Sequence, residues 1–564
     1  MKKLVNILCA GLGVMALTAC SEFLDSNPLT SLVDSNFYQT ESDADLAIVG
    51  CYDGVQVICS DGVGFWVDQL LKSDECFAGL GNGDETNYKM IDEYDKGVYG
   101  SYAEVYAKNW ELCYKAVYRC NMLLSKMDQI TWTTEGKRER IEAEARFLRA
   151  YTYWQMVRLW QNIPLVLKPL LPSEANEEQA PVADVFKAIE EDLLFACDNA
   201  YLKGEKWTAS WAAANDGRVT VFAAKALLAR VFLYYTGLYD AQTLPGGTDK
   251  ATVTEKLKDC LEANSGHALL PEFKNLWIAA SSYLDATAEE SYGIATTYAG
   301  EGNCETVWAI KYNSTGDYNG NTDGNVPLKM IGLRNGQVKN FGGTALGDNS
   351  WGCGTIPTTF INDWKNDPDY AGDLRYSASV IDAAAEGIVL VDKHSQMENT
   401  GYWPKKYHSV GNGTSGLPTL LVGDSKIAEW QVGPYTDQLI VRYADVLLMM
   451  SELTGEVSYM NEVRARAGLA PYAAYSVDNL RKERKYELAF EGHRFGDLLR
   501  YDSSLDYAAQ AVDGEWTVEN AYDNSEGRKV VSGDKLKATK GFSPIPQTQI
   551  DLSNGVLVQN EGWK

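Results

Sequence analysis

Lys137 to Trp160 reads KRERIEAEARFLRAYTYWQMVRLW and contains neither glycine nor proline. Ile141, Ala145, Leu148 and Thr152 recur at helical spacing along one stripe, while Phe147, Trp154 and Trp160 occupy other faces. A helix carrying bulky apolar groups on several faces is buried on several sides. The segment stops at Asn162 and Pro164, and the chain beyond it is expected to be extended from Ile163 to Leu171.

Residues 218–236 repeat this pattern with the small side chains Ala223, Ala224, Ala226 and Ala229, which let a partner helix approach closely. A third block, 439–454, 457–467 and 477–501, is helical by the same criteria, with Gly468 and Pro471 breaking between the last two. Short turns between helices predict antiparallel neighbours. Residues 77–100, 298–358 and 396–438 are instead rich in Gly, Asn, Asp and Tyr and show no sustained period. The expected fold is mostly α, a helical scaffold carrying long irregular loops. Loops longer than about 15 residues are functional or disordered, and the aromatic content here favours order.

At the N-terminus, Lys2 and Lys3 precede an apolar run from Leu4 to Ala19 that is interrupted only by Asn6 and Thr18. The run is shorter than the ~20 residues needed to span a bilayer, so it reads as a secretion signal. Leu17-Thr18-Ala19-Cys20 fits the L-x-A-C box of bacterial lipoproteins, which predicts a signal peptide at 1–19 and a lipid on the Cys20 thiol. Residues 20–36 are then a tether. The 564-residue chain is 45% hydrophobic, enough for a substantial core, and carries a formal charge of −26. Loss of residues 1–19 removes two lysines and leaves 49 basic against 77 acidic residues, a charge of −28. Such a surface repels phosphate backbones and anionic headgroups, which argues against nucleic-acid partners and leaves membrane attachment to the lipid. Cys9 leaves with the signal, and nine cysteines remain besides Cys20, with no C-x-x-C spacing and no histidine placed to complete a zinc site. They read mostly as small buried hydrophobes, with disulfide pairing left open.

Several blocks together resemble the SusD/RagB family. They are CSEFLDSNP (Cys20 to Pro28), ARFLRAYTYWQMVRLWQNIPLV (Ala145 to Val166), GRVTVFAAKALLARVFLY (Gly217 to Tyr234), RYADVLLM (Arg442 to Met449), NEVRARAG (Asn461 to Gly468), ERKYELAFEGHRFGDLLR (Glu483 to Arg500) and FSPIPQTQIDL (Phe542 to Leu552). The resemblance implies a helical fold with tetratricopeptide-like helix pairs over 37–564, divided into an N-terminal part to about residue 240 and a C-terminal RagB/SusD part from about 280. It also implies a lipoprotein of the bacterial outer membrane, facing the exterior, that captures glycans and delivers them to a SusC-like TonB-dependent transporter. Some relatives bind peptides or glycopeptides instead, and a surface glycoside hydrolase is a third reading.

The residues offer little catalytic chemistry. Glu483, Glu487, Glu491, His493 and Arg494 form the most tempting cluster, but Glu491 and His493 are two apart, not at the i, i+3 spacing of a helical metal site. The expected role is structural, with Arg484, Arg494 and Asp497 interlocking with the carboxylates. Gly411 to Gly416 has G-x-G-x-x-G spacing but runs into Leu417-Pro418 instead of a helix. Asp367, Asp369 and Gly372 begin like a calcium loop, yet Ala371 and Ala378 fall where oxygen ligands belong. No metal site or cofactor is expected. A sugar site needs flat aromatic faces flanked by amides and carboxylates. The loops supply them at Asn82, Asp84, Asn87 and Tyr88, at Tyr318, and at Asn349 and Trp351, with Trp351 expected on an exposed loop tip between Gly347 and Gly352. Trp308, inside ETVWAI, reads as core.

Overall fold

The computed structural model describes residues 37–563 except 61–63, 82–87, 95–103, 285–293, 314–322, 335, 348–349, 391–395, 412–434, 520–525 and 532. We label the helices used below α1 (Glu41–Ser60), α2 (Phe65–Leu71), α3 (Ala107–Lys126), α4 (Lys137–Trp160), α5 (Val182–Asn199), α6 (Val221–Leu238), α7 (Tyr443–Thr454), α8 (Val457–Arg466), α9 (Val477–Glu487) and α10 (Arg494–Arg500). The strands are β1 (Thr306–Ile310), β2 (Val380–Asp382), β3 (Tyr402–Pro404) and β4 (Gln438–Arg442). The fold is mostly helical, and its strands form two-stranded pairs.

α4 occupies the span expected and packs against α1, α3 and α5. Burial on several sides holds, since Phe147, Leu148, Trp154 and Trp160 all lie inside. Each such side chain stabilises the fold by about 1.5–3 kcal/mol relative to an exposed one. Pairings along the helices give their directions. Gly54 meets Ala116 and Asp53 pairs with Arg119, so α1 and α3 run antiparallel. Trp110 meets Trp160 while Asn121 bonds Arg149, which makes α3 and α4 antiparallel. Arg149 with Asp192 and Trp154 with Phe186 do the same for α4 and α5, as Phe186 with Tyr235 and Tyr201 with Thr220 do for α5 and α6. Arg149 ties three helices at once, donating from Nε and Nη2 to Asp192 and from Nη1 to Asn121 Oδ1. In α6 the alanines are buried as expected, and Gly237 presses against the Arg500 carbonyl so closely that no Cβ fits.

Two helical expectations are corrected. Residues 439–442 belong to β4, which pairs antiparallel with β1, Trp308 opposite Val441 and Ala309 opposite Leu439. Leu439-Ile440-Val441 is an apolar run too short for its period to separate helix from buried strand, and the pairing with β1 decides it. Residues 477–501 are not one helix: α9 ends at Glu487, and α10 starts at Arg494. Between them Phe490 and Gly492 take positive φ of 64° and 77°. Gly492 lies on Trp66, whose indole N–H donates to the Phe490 carbonyl at 2.9 Å, so the break is imposed by α2.

One continuous core runs from Tyr38 to Leu557 and includes Trp308. A second, smaller cluster of Ile278, Leu333, Val338, Phe341, Leu346, Ile381, Ile388, Trp403 and Val410 underlies the long loops, so these loops carry their own apolar support. Cys51, Cys59, Cys76, Cys113, Cys120, Cys197, Cys260 and Cys353 are free and buried, and Cys304 is free and half-buried, which matches their reading as small hydrophobes.

Candidate functional site

Five separated segments meet around Trp351. Gly79 bridges Cys353, Gly81 bridges Gln396, Ile331 bridges Cys353, and Arg334 bridges Ser350. The Trp351 backbone is held at both ends: its N–H donates to the Lys329 carbonyl at 2.7 Å, and its carbonyl accepts from Arg334 Nη1 at 2.7 Å. The next carbonyl, of Gly352, accepts from Leu80 N–H at 3.0 Å and from Gln396 Nε2 at 2.5 Å. Arg334 also lies flat on Gly81, where a Cβ would overlap its guanidinium. Burial pushes His408 down to about 4, so it is neutral at pH 7, and its Nε2 is 2.7 Å from the Gly347 carbonyl ahead of the tryptophan.

The short helix Tyr88–Glu93 joins the same assembly. Ala78 N–H donates to Asp92 Oδ2 at 2.8 Å, Gly79 N–H donates to Glu398 Oε2 at 2.8 Å, and Lys89 pairs with Glu398 at 3.6 Å. Both carboxylates are thus engaged by backbone amides, which is a structural use. Of the residues expected to hold sugar, Trp351 and Tyr88 lie on segments that this network joins. Asn82, Asp84, Asn87, Tyr318 and Asn349, together with Cys20, the residue expected to carry the lipid, lie outside the described residues. Trp351 is not on a free loop tip: it is partly buried and packed against the main core. Tyr94 and Tyr312, which share the aromatic loops, are core residues. Lys329, Arg334, Gln396 and Glu398 were not anticipated, because nothing local in the sequence marks pairings made between positions 17 to 319 residues apart.

The acidic cluster of α9 is structural, but with other partners than expected. Glu487 accepts from Arg375 Nη1 at 3.0 Å, Arg442 Nη1 at 3.0 Å and Arg466 Nη2 at 2.5 Å. Glu483 takes Arg375 and Arg464, and Glu491 takes Arg442 and Lys406. Arg484 instead pairs with Asp445 and Asp497, and Arg494 with Asp74. Burial opposes the charge on Glu487, and Arg466, Arg442 and Arg375 outweigh it, holding its carboxyl well below the usual range. Burial brings Lys406 down to about 8 and His493 to about 3. These charges are spent on one another, with no open face toward solvent.

A groove of about 700 Å³ lies elsewhere, between α3, residues 164–177 and the C-terminal segment 549–557. Of its aromatics, Trp110 is buried against Trp160 and the Tyr114 hydroxyl donates to the Pro164 carbonyl, while Tyr118 is exposed. Its lips combine the exposed aliphatics Leu171 and Leu552 with the exposed charged side chains Glu111, Lys115, Arg119 and Lys168.

Residues 304–563 match the SusD family, and residues 76–233 match a family described as starch-binding, associating with the outer membrane. "SusD-like protein P25" of Formosa agariphila is 23% identical, with 91% of this chain and 93% of that protein covered. A "SusD-like protein" of Bacteroides ovatus is 24% identical over 89% of this chain and 84% of that protein. Among solved structures, a "Laminarin binding SusD-like protein" superposes with a TM-score of 0.69 at 24% identity, covering 93% of this chain and 99% of that one. "Surface glycan-binding protein A from Bacteroides thetaiotaomicron in complex with laminarihexaose" gives 0.68 at 20% identity, covering 93% and 100%. The structures establish the shared fold. Two SusD-type families thus match successive parts of one chain, 86–91% of which aligns with SusD-like proteins, and the chain belongs to the SusD family.

Proposed function

We propose that this protein is a non-catalytic glycan-binding lipoprotein of the cell surface, anchored through Cys20 and exposed to the exterior. It captures oligosaccharides on the face around Trp351 and hands them to a TonB-dependent transporter in the outer membrane. The observation that carries the binding role is the fixed backbone of Trp351. Bonds from Arg334 and to Lys329, with Gly352 pinned by Leu80 and Gln396, present a partly exposed indole at low entropic cost on binding. Nearby carboxylates Asp92 and Glu398 hold backbone amides, which supports binding without hydrolysis. The shared fold of a laminarin-binding protein and of one holding laminarihexaose makes a neutral β-glucan the first probe.

Each stacked aromatic face contributes on the order of 1 kcal/mol beyond area burial, so two or three give micromolar to millimolar affinity, suited to capture and release. Trp351→Ala should therefore weaken glycan binding about tenfold or more in calorimetry while the melting temperature falls by a few degrees at most. Retained affinity with a large drop in melting temperature would make Trp351 a packing residue and remove this face from the account.

A further inference from the structure

A second place in the molecule has unmet polar chemistry. β1, the short helix Ala209–Ala214 and the chain before β4 enclose a cleft of about 40 Å³. Trp207 and Trp211, both half-buried, line it together with Asn215, Asp216 and Arg218. Three of the residues that line it, Thr306, Trp308 and Asp437, each have a buried polar atom without a hydrogen-bond partner: Oγ1, Nε1 and Oδ1 respectively. Trp308 and Asp437 are each 3% exposed, so water of the bulk solvent does not satisfy them. A buried polar atom left unpaired costs about 1–3 kcal/mol, and three on one wall mark a place that something fills.

The three atoms select the chemistry of the occupant. Trp308 Nε1 only donates, Asp437 Oδ1 accepts when ionised, and the Thr306 hydroxyl does either. An anion is repelled by Asp216 and Glu301, which gather with Asp437 around Lys311, while burial and Glu301 push the Asp437 carboxyl up against the pull of Lys311. A simple cation meets the positive end of the Trp308 N–H dipole and the ammonium of Lys311, whose stem lies across Gly217. An apolar group leaves all three atoms unpaired. A hydroxyl, which both donates and accepts, satisfies the wall. The volume admits groups of that size, since each water-sized occupant needs about 10–15 Å³ of such space.

We propose that this cleft is a second carbohydrate site, separate from the Trp351 face, in which a neutral sugar sets hydroxyls against Thr306, Trp308 and Asp437 while its ring lies at the mouth by Trp207 and Trp211. It rests on the reading of the chain as a glycan binder only for the choice of sugar as the hydroxyl-bearing ligand. The test follows the indole N–H signals by ¹H–¹⁵N NMR in Trp351→Ala protein, with Trp308→Phe used to assign the Trp308 signal and D-glucose as the probe. The expected result is a saturable shift of the Trp308 signal, weakened at least fivefold by Trp211→Ala and also by Asp437→Asn, which keeps the shape of the wall. No shift, a shift that rises linearly without saturating, or one unaffected by both substitutions overturns the proposal and leaves ordered water as the occupant. A Trp308 response in a protein that retains no polysaccharide would sink the Trp351 face and leave this cleft standing.

Discussion

Glu75 sits fully buried beneath the break between α9 and α10, where its Oε1 accepts from Phe490 N–H at 3.1 Å. Burial pushes its carboxyl up to about 8, so the folded protein holds a proton that the unfolded chain loses near 4.5. The folded state therefore binds more protons than the unfolded state between these values, and stability contributed here is full below about 4.5 and declines as pH rises toward 8. Glu75→Gln mimics the protonated form and keeps the acceptor. It should leave stability unchanged at pH 4 and raise it by about 1–3 kcal/mol at pH 8–9, measured by denaturant unfolding at both pH values. A stabilisation equal at both would remove the buried-carboxyl account. Neither this residue nor the Arg334 clamp on Trp351 could be read from sequence, because each is defined by a partner more than ten residues away in the chain.

At the scale of elements, α4 was legible because nothing in 137–160 breaks a helix and its apolar groups cover several faces. The α9–α10 break was not, since Trp66 of α2 imposes it from more than 400 residues away. The candidate sugar-site residues were read from the composition of the aromatic loops, and of them Trp351 and Tyr88 are seen on joined segments. α9 acts as a bolt: Glu487 reaches Arg375, Arg442 on the last position of β4 and Arg466 of α8 at once. Removing its charge takes one carboxylate from each of three buried guanidiniums, which keep Glu483, Glu491 and Glu305, and breaking buried pairs of this kind costs about 3–5 kcal/mol. Glu487→Gln should lower the urea midpoint accordingly with an unchanged slope. Its folded carboxyl lies below the ordinary value of 4.5, so this stability is present above pH 4.5 and fades as pH falls through the lower folded value. A change under about 1 kcal/mol at pH 7 would show that the network is energetically redundant.

For the molecule as a whole, charge and anchoring act together. The chain carries a formal charge of −26, or −28 if residues 1–19 are removed, and gains nothing from anionic membranes. Among the described residues α6 alone has the length and apolarity to cross a bilayer, and 67% of it is buried inside the fold. The proposed attachment is the lipid on Cys20, and Cys20→Ala should move the protein from the membrane to the soluble fraction; unchanged fractionation would contradict the lipoprotein reading. Stable anchoring takes more than one acyl chain, which the N-terminal cysteine of a lipoprotein supplies. The central claim is capture of glycan without turnover at the Trp351 face. Its most direct measurement is retardation of the protein and of its Trp351→Ala variant in native gels containing laminarin and a panel of other neutral polysaccharides, with reducing ends assayed in parallel. The account predicts retardation by at least one polysaccharide, loss of most of it in the variant, and no released sugar. A protein retarded by none of them, or a variant retarded equally, or reducing ends that accumulate with time, would contradict it.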